Sequence, residues 1–205
     1  MCGRRQQPAL HDALGRRTPT RAVRACWRRS ENGVQQLDEP TSALGPEPTM
    51  KILVVCMGNI CRSPMAEAVI RRMLDRSGAA ACTTVDSAGT HDFNVGLPPD
   101  PRARLAALRR GYDMAGMRAR QVQPEDFERF DLILAMDRRN LAMLEADCPE
   151  QHRHKLTLFL DYAAGGDADE VPDPYGESQE SFERVLDMIE DAARGLIESL
   201  GRARR

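Results

Sequence analysis

The stretch Lys51-Ile-Leu-Val-Val-Cys-Met-Gly-Asn-Ile-Cys-Arg-Ser-Pro-Met-Ala-Glu-Ala-Val-Ile70 decides the fold. Residues 51–55 form a short apolar run with β-branched side chains, which suits a strand buried on both faces. Ser63-Pro64 then reads as an N-cap followed by proline at the first helical position. The helix that follows carries Ala66, Val69, Ile70, Met73 and Leu74 on one face and stops at Gly78. Working outward, a second strand is expected over 82–87, a Gly/Pro-rich loop over 88–99, and a helix over 100–110 that ends at Gly111. Residues 131–135 read as a third strand, 138–147 as a helix and 155–160 as a fourth strand. The last helix aligns Phe182, Val185, Leu186, Ile189, Ala193, Leu196 and Leu200 at helical spacing. Strands alternating with helices predict an α/β fold, a doubly wound four-stranded parallel sheet with helices on both faces. In such folds ligands bind beyond the carboxyl ends of the strands, which directs attention to the turn at residues 56–63.

The chain has 205 residues, 41% of them apolar and 29% charged, enough for one domain with a genuine core. A net charge of −2 gives no overall footprint for nucleic acid or an anionic membrane. No run of 18 apolar residues predicts a membrane span, and the start Met1-Cys-Gly-Arg-Arg5 lacks the apolar stretch of a secretory signal. Six cysteines without such a signal point to reduced thiols and a cytoplasmic protein. Residues 1–49 stand apart: eight arginines against five acids give +3, with Pro/Gly/Ser/Thr punctuation and no periodicity. They are expected to be a disordered or weakly structured Arg-rich extension upstream of a natural start at Met50. Residues 50–205, with 21 basic and 26 acidic residues and a net charge of −5, form the functional domain.

Cys56-x5-Arg62 alone is a weak signal, expected about 0.8 times by chance from this composition. Adding Gly58, Asn59 and Ser63 lowers that expectation to about 4 × 10⁻⁵. The physics accounts for the residue types. Glycine at 58 lets the backbone curl so that its N–H groups make an anion nest. The helix start adds its dipole, and Arg62 offers a planar fork for two phosphoryl oxygens. Amides, dipole and guanidinium all favour a thiolate at Cys56, a phosphoryl-accepting nucleophile facing an oxyanion pocket. A nucleotide-binding loop would need Gly-Lys-Ser/Thr, and the two lysines, Lys51 and Lys155, follow no such run. Cys56, Cys61, His152 and His154 match no zinc spacing, so neither metal nor cofactor is expected. Expelling an alcohol or phenol calls for a general acid, and Asp173 in Pro172-Asp-Pro-Tyr-Gly176 is the candidate, with Tyr175 placed to stack on a substrate ring.

Residues 50–205 resemble a low-molecular-weight protein tyrosine phosphatase. The resemblance rests on Val55-Cys-Met-Gly-Asn-Ile-Cys-Arg-Ser-Pro64, Asp86-Ser-Ala-Gly-Thr90, Arg118-Ala-Arg-Gln-Val122, Ala135-Met-Asp137 with Asn140, and Asp173-Pro-Tyr-Gly176. It implies that Cys56 is the nucleophile of a phosphocysteine pathway that needs no metal. Arg62 would clamp the phosphate and stabilise the transition state, and Asp173 would act as acid and then as base. Met57, Gly58, Asn59, Ile60, Cys61 and Ser63 would form the phosphate-binding loop, with Ser63 bonding the thiolate. Asn59 and Ser87 would hold the loop in shape, and Phe93 and Tyr175 would wall the ring cleft. The implied partner is a phosphotyrosine-containing protein, with a bacterial tyrosine kinase as the family-based choice; no nucleic acid or membrane insertion is implied. Two positions depart from the family: Met117 stands where many members carry histidine behind the loop, and one tyrosine rather than two precedes Gly176.

Three rivals are weighed on the same residues. Thioredoxin-coupled arsenate reductases share the loop but relay a disulfide through later cysteines, and here only Cys82 and Cys148 follow, far apart. Protein-arginine phosphatases typically place threonine at the position of Ile60, whose apolar side chain suits an aromatic ring. A phosphotyrosine-binding module should lack nucleophile, clamp or acid, and all three are present. For Cys61, a protective disulfide with Cys56 and plain packing under the loop are both open.

Overall fold

The computed structural model describes residues 50–165 and 168–202; the arginine-rich segment 1–49 and the boundary placed at Met50 therefore lie at or outside its edge. Strand β1 (Met50–Cys56) is central in a four-stranded sheet. It pairs in parallel with β2 (Thr83–Gly89) on one side and β3 (Leu132–Ala135) on the other. β4 (Leu156–Leu158) extends the sheet beyond β3, also in parallel, giving the order β2-β1-β3-β4. The crossovers run through α1 (Arg62–Arg76), then α2 (Pro101–Arg109) and α3 (Pro124–Arg129), then α4 (Arg138–Asp147); α5 (Gln179–Arg202) closes the chain. This is the doubly wound parallel sheet that the sequence predicts. The chain leaves β1 for β2 on one side and returns for β3 on the other, so the switch point lies at the carboxyl end of β1.

The apolar run reads correctly: Ile52, Leu53, Val54 and Val55 are all fully buried. Alternation sends Ile52, Val54 and Cys56 to a core shared with α1, α2 and α5, and Leu53 and Val55 to a smaller core that holds Phe127 of α3 and Leu144 of α4. The stripe on α5 is buried along its whole length, from Phe182 to Leu200. Among the described residues no helix is long and apolar enough to cross a membrane.

Several local expectations are corrected. Helix α1 starts at Arg62 with Cys61 in the capping position, so Ser63 is not its N-cap. The Ser63 hydroxyl is taken by the site, as described below. β4 is three residues long, and Phe159–Tyr162 turns into a 3-10 helix instead of extending the strand to 160. Helix α3 is absent from the sequence reading because six residues carry too little periodicity. Its start is nonetheless marked by Pro124 and by Asp126, whose Oδ2 accepts the Gln123 N–H at 2.9 Å. Among the described cysteines, Cys56, Cys61 and Cys148 are free.

Candidate active site

The loop Met57–Cys61 leaves β1 and enters α1 at the switch point. Its left-handed residue is Asn59, at φ +53°. Gly58 answers a different need: a Cβ there would stand 2.5 Å from Asn94 Nδ2, which donates to the Gly58 carbonyl at 3.2 Å. The more demanding glycine is Gly89 at the end of β2. A Cβ on it would lie 2.8 Å from the Met57 carbonyl oxygen and 3.2 Å from the Asn59 nitrogen, so the strand end packs backbone to backbone against the loop.

Asn59 is buried, and the strain of its backbone is offset by its side chain. Nδ2 donates to Ser63 Oγ and to Ser87 Oγ, each at 2.9 Å, and Oδ1 accepts the Arg120 N–H at 2.9 Å. Ser87 in turn donates to Glu67 Oε2 at 2.5 Å, and Arg71 pairs with Glu67 Oε1 at 2.5 Å. Burial pushes the Glu67 carboxyl above its ordinary value. The bracing network therefore closes through Ser87 and Glu67 without a side chain from position 117. Met117 is half-buried against the main core and borders a polar pocket of about 340 Å³ that also touches Asn59, Ser87 and Glu67.

The Cys56 sulfur receives the Asn59 N–H at 3.3 Å and lies 3.1 Å from Ser63 Oγ. Ser63 has one hydroxyl proton and two acceptors, this sulfur and the Ala88 carbonyl at 3.2 Å. Arg62 is only 2% exposed. Its Nη1 donates to Asp137 Oδ2 at 2.6 Å and to the Val171 carbonyl at 3.1 Å, and Nη2 donates to Asp173 Oδ2 at 2.9 Å. Burial opposes its charge, but Cys56, Asp173 and Asp137 outweigh it and hold the guanidinium pKa above its ordinary value. The buried Nε has no partner, which is unusual for so strong a donor. Cys61 is buried in the same wall, and burial first, then Asp100 and Cys56, push its thiol well up, so it stays protonated at neutral pH.

Cys56, Met57, Gly58, Ile60, Cys61, Arg62, Phe93, Asp173 and Tyr175 all line one cavity of about 240 Å³. Asn59, Ser63 and Ser87 lie behind it in the network just described. Phe93 and Tyr175 are 73% and 65% exposed, so the cavity mouth has two aromatic rims, and the His91 ring stacks on Phe93 at 5.0 Å. The sequence reading misses four participants. Asn94 lines the cavity, and Asp137, Arg120 and Glu67 hold Arg62, Asn59 and Ser87. Asp137 stands in the Ala135-Met-Asp137 segment that carries the resemblance, and it also caps α4, accepting the Asn140 N–H at 2.6 Å. No group of three or more His, Cys, Asp or Glu among the described residues is arranged to hold a metal.

A parallel sheet with a Cys-x5-Arg loop at its switch point, and a buried guanidinium and a carboxylate at the same cavity, is an arrangement suited to an oxyanion. The profile of the low molecular weight phosphotyrosine protein phosphatases matches residues 51–205. A relative from Synechocystis sp., provisionally named a low molecular weight protein-tyrosine-phosphatase, is 47% identical over 154 residues, 75% of this chain and 98% of its own. The crystal structure of a protein tyrosine phosphatase from Entamoeba histolytica with Hepes in the active site has a TM-score of 0.74 and 39% identity, covering 77% of this chain and all of that one. Wzb of Vibrio vulnificus in complex with benzylphosphonate has a TM-score of 0.65 and 32% identity, covering 73% and 98% of the two chains. The chain belongs to the low molecular weight phosphotyrosine protein phosphatase family, and is a hydrolase of that class.

Proposed function

We propose that residues 50–205 form a metal-independent phosphatase domain that hydrolyses phosphotyrosine in proteins through a phosphocysteine on Cys56. The observation that carries this reading is Arg62: a buried guanidinium that lines the cavity, shares it with Cys56 and Asp173, and keeps Nε without a partner. An incoming phosphoryl group takes Nε and Nη2, displacing the Asp173 carboxyl from the clamp. The Cys56 thiolate attacks phosphorus in line, the P–O bond to the ring breaks, and Asp173 gives its proton to the departing phenol oxygen. The Ser63 hydroxyl turns its proton to the sulfur, stabilising the thiolate before attack and as it leaves in the second step. Asp173, now a carboxylate, takes a proton from the water that attacks phosphorus and releases phosphate. The Met57–Cys61 amides and Arg62 hold the equatorial oxygens throughout, so preorganised charge supplies most of the rate.

Ile60, Phe93 and Tyr175 favour an aromatic substrate over phosphoarginine, and the benzylphosphonate bound by the Vibrio relative has the outline of a phosphorylated ring. Among the described residues the remaining free cysteine, Cys148, belongs to the core on the other sheet face and lines no part of the cavity, which disfavours a thiol relay to arsenate. The test is initial rates on phosphotyrosine and phosphoarginine peptides in EDTA. Tyrosine-directed turnover should vanish with Cys56→Ser and fall by about 10²–10⁴-fold with Asp173→Asn. A folded wild-type protein inactive on both peptides, or one needing added metal, overturns the proposal.

A further inference from the structure

Arg102 belongs to none of the residues assigned above, yet its guanidinium joins the two halves of the site. It stands one residue inside α2, where a cap carboxylate at Asp100 already receives its N–H at 2.8 Å. The side chain returns to the same carboxylate, with Nε to Oδ1 at 3.1 Å and Nη2 to Oδ2 at 2.9 Å, a bidentate fork. The Asp100 backbone N–H in turn donates to the Ile60 carbonyl of the phosphate loop at 2.8 Å. On its other side, Arg102 Nη1 donates to the Glu177 carbonyl at 3.0 Å. The guanidinium lies over the Tyr175 ring at 5.9 Å and over the Phe182 ring of α5 at 4.9 Å. Gln179 Nε2 donates to the Arg102 carbonyl at 3.3 Å.

The acid loop is thus held at Tyr175 and Glu177 by a group anchored to the wall of the phosphate loop. Within that loop, Asp173 Oδ1 accepts the Tyr175 N–H at 3.2 Å. Moving Tyr175 therefore moves the carboxyl. A guanidinium serving only as helix furniture would have no reason to reach a carbonyl 75 residues away.

Building on the phosphatase reading above, we propose that Arg102 is a positioning residue for the general acid, fixing Asp173 over the leaving oxygen by tying Tyr175 and Glu177 to the phosphate loop. A general acid matters most when the leaving phenol is a poor one. Phenol, with a pKa near that of tyrosine at about 10, needs the proton far more than para-nitrophenol does. The first chemical step is read by kcat/KM, which extends to phenol release.

The experiment measures kcat/KM on phenyl phosphate and on para-nitrophenyl phosphate for wild type, Arg102→Ala, Arg102→Lys, Asp173→Asn and the Arg102→Ala/Asp173→Asn double variant, with thermal unfolding of each. Arg102→Ala should lose about tenfold on phenyl phosphate and no more than about twofold on para-nitrophenyl phosphate. Arg102→Lys, which keeps the charge but not the fork, should fall between wild type and Arg102→Ala. In the double variant, Arg102→Ala should add nothing to the loss already caused by Asp173→Asn. Equal losses on both substrates, or losses that add to those of Asp173→Asn, overturn the proposal, because a merely structural arginine would act that way. A wild type inactive on both substrates removes the phosphatase reading itself. Activity with a leaving-group effect for Asp173→Asn but none for either Arg102 variant removes only the role of Arg102.

Discussion

Asn59 offers the sharpest test of how the phosphate loop is held. It occupies the left-handed region at φ +53° while buried, and its side chain makes three hydrogen bonds to Ser63, Ser87 and the Arg120 N–H. At about 0.5–1.5 kcal/mol each, those bonds are worth roughly 1.5–4.5 kcal/mol. A Cβ in left-handed backbone costs about 1–2 kcal/mol, which asparagine tolerates better than alanine. Asn59→Ala should therefore destabilise the protein by about 3–5 kcal/mol. Asn59→Gly loses the same bonds but sheds the strain, and should be the more stable of the two by about 1 kcal/mol. That order is the reverse of what glycine and alanine show at ordinary positions, so it isolates the backbone term. Urea unfolding of the two variants beside wild type gives all three numbers, provided the slopes agree. Both variants should also lose activity, since a loop without its anchor no longer presents preorganised amides. Asn59→Ala within 0.5 kcal/mol of wild type, or Asn59→Gly less stable than Asn59→Ala, would refute the reasoning; about 0.5 kcal/mol is what an uninvolved surface position shows.

Two further outcomes follow from packing and charge. Gly195 in α5 lies so close to the 3-10 turn that a Cβ would sit 1.8 Å from the Tyr162 carbonyl oxygen. Gly195→Ala should therefore lower stability by about 2–3 kcal/mol although helix propensity alone favours alanine, and a thermal midpoint at or above wild type would contradict the close approach. Burial raises the folded-state pKa of Glu67, so the folded protein keeps this proton to higher pH than the unfolded chain does. The resulting stability is fully present below the unfolded glutamate range and is lost as pH rises through the folded value. Wild type should accordingly lose stability relative to Glu67→Gln as pH is raised from about 4 toward neutrality, and a difference that stays flat, or changes in the opposite sense, would count against a Glu67 pKa raised by burial.

The local half of this protein was legible because its physics is local. An apolar β-branched run, a Cys-x5-Arg turn and a helix opening at Arg62 are consecutive in the chain, so spacing alone brings Cys56 and Arg62 to one loop. The stripe from Phe182 to Leu200 identified α5 for the same reason, since helical period is a property of neighbours. Helix α3 and the turn after β4 were less readable, because a few residues carry too little pattern to outweigh tertiary packing.

What the tertiary structure alone decided is how that loop is held and charged. Arg62 meets Asp137 and Asp173, 75 and 111 residues further on, because the carboxyl ends of β1 and β3 and the segment after β4 converge at the switch point. Asn59 takes the left-handed turn because Ser87 and the Arg120 N–H stand ready to satisfy its amide, and those partners arrive from β2 and from the crossover that follows it. Residue types and their spacing can announce a phosphate-binding turn. Which donors and carboxylates complete it depends on the order in which parallel strands are laid side by side, and that order is set by burial across both faces of the sheet.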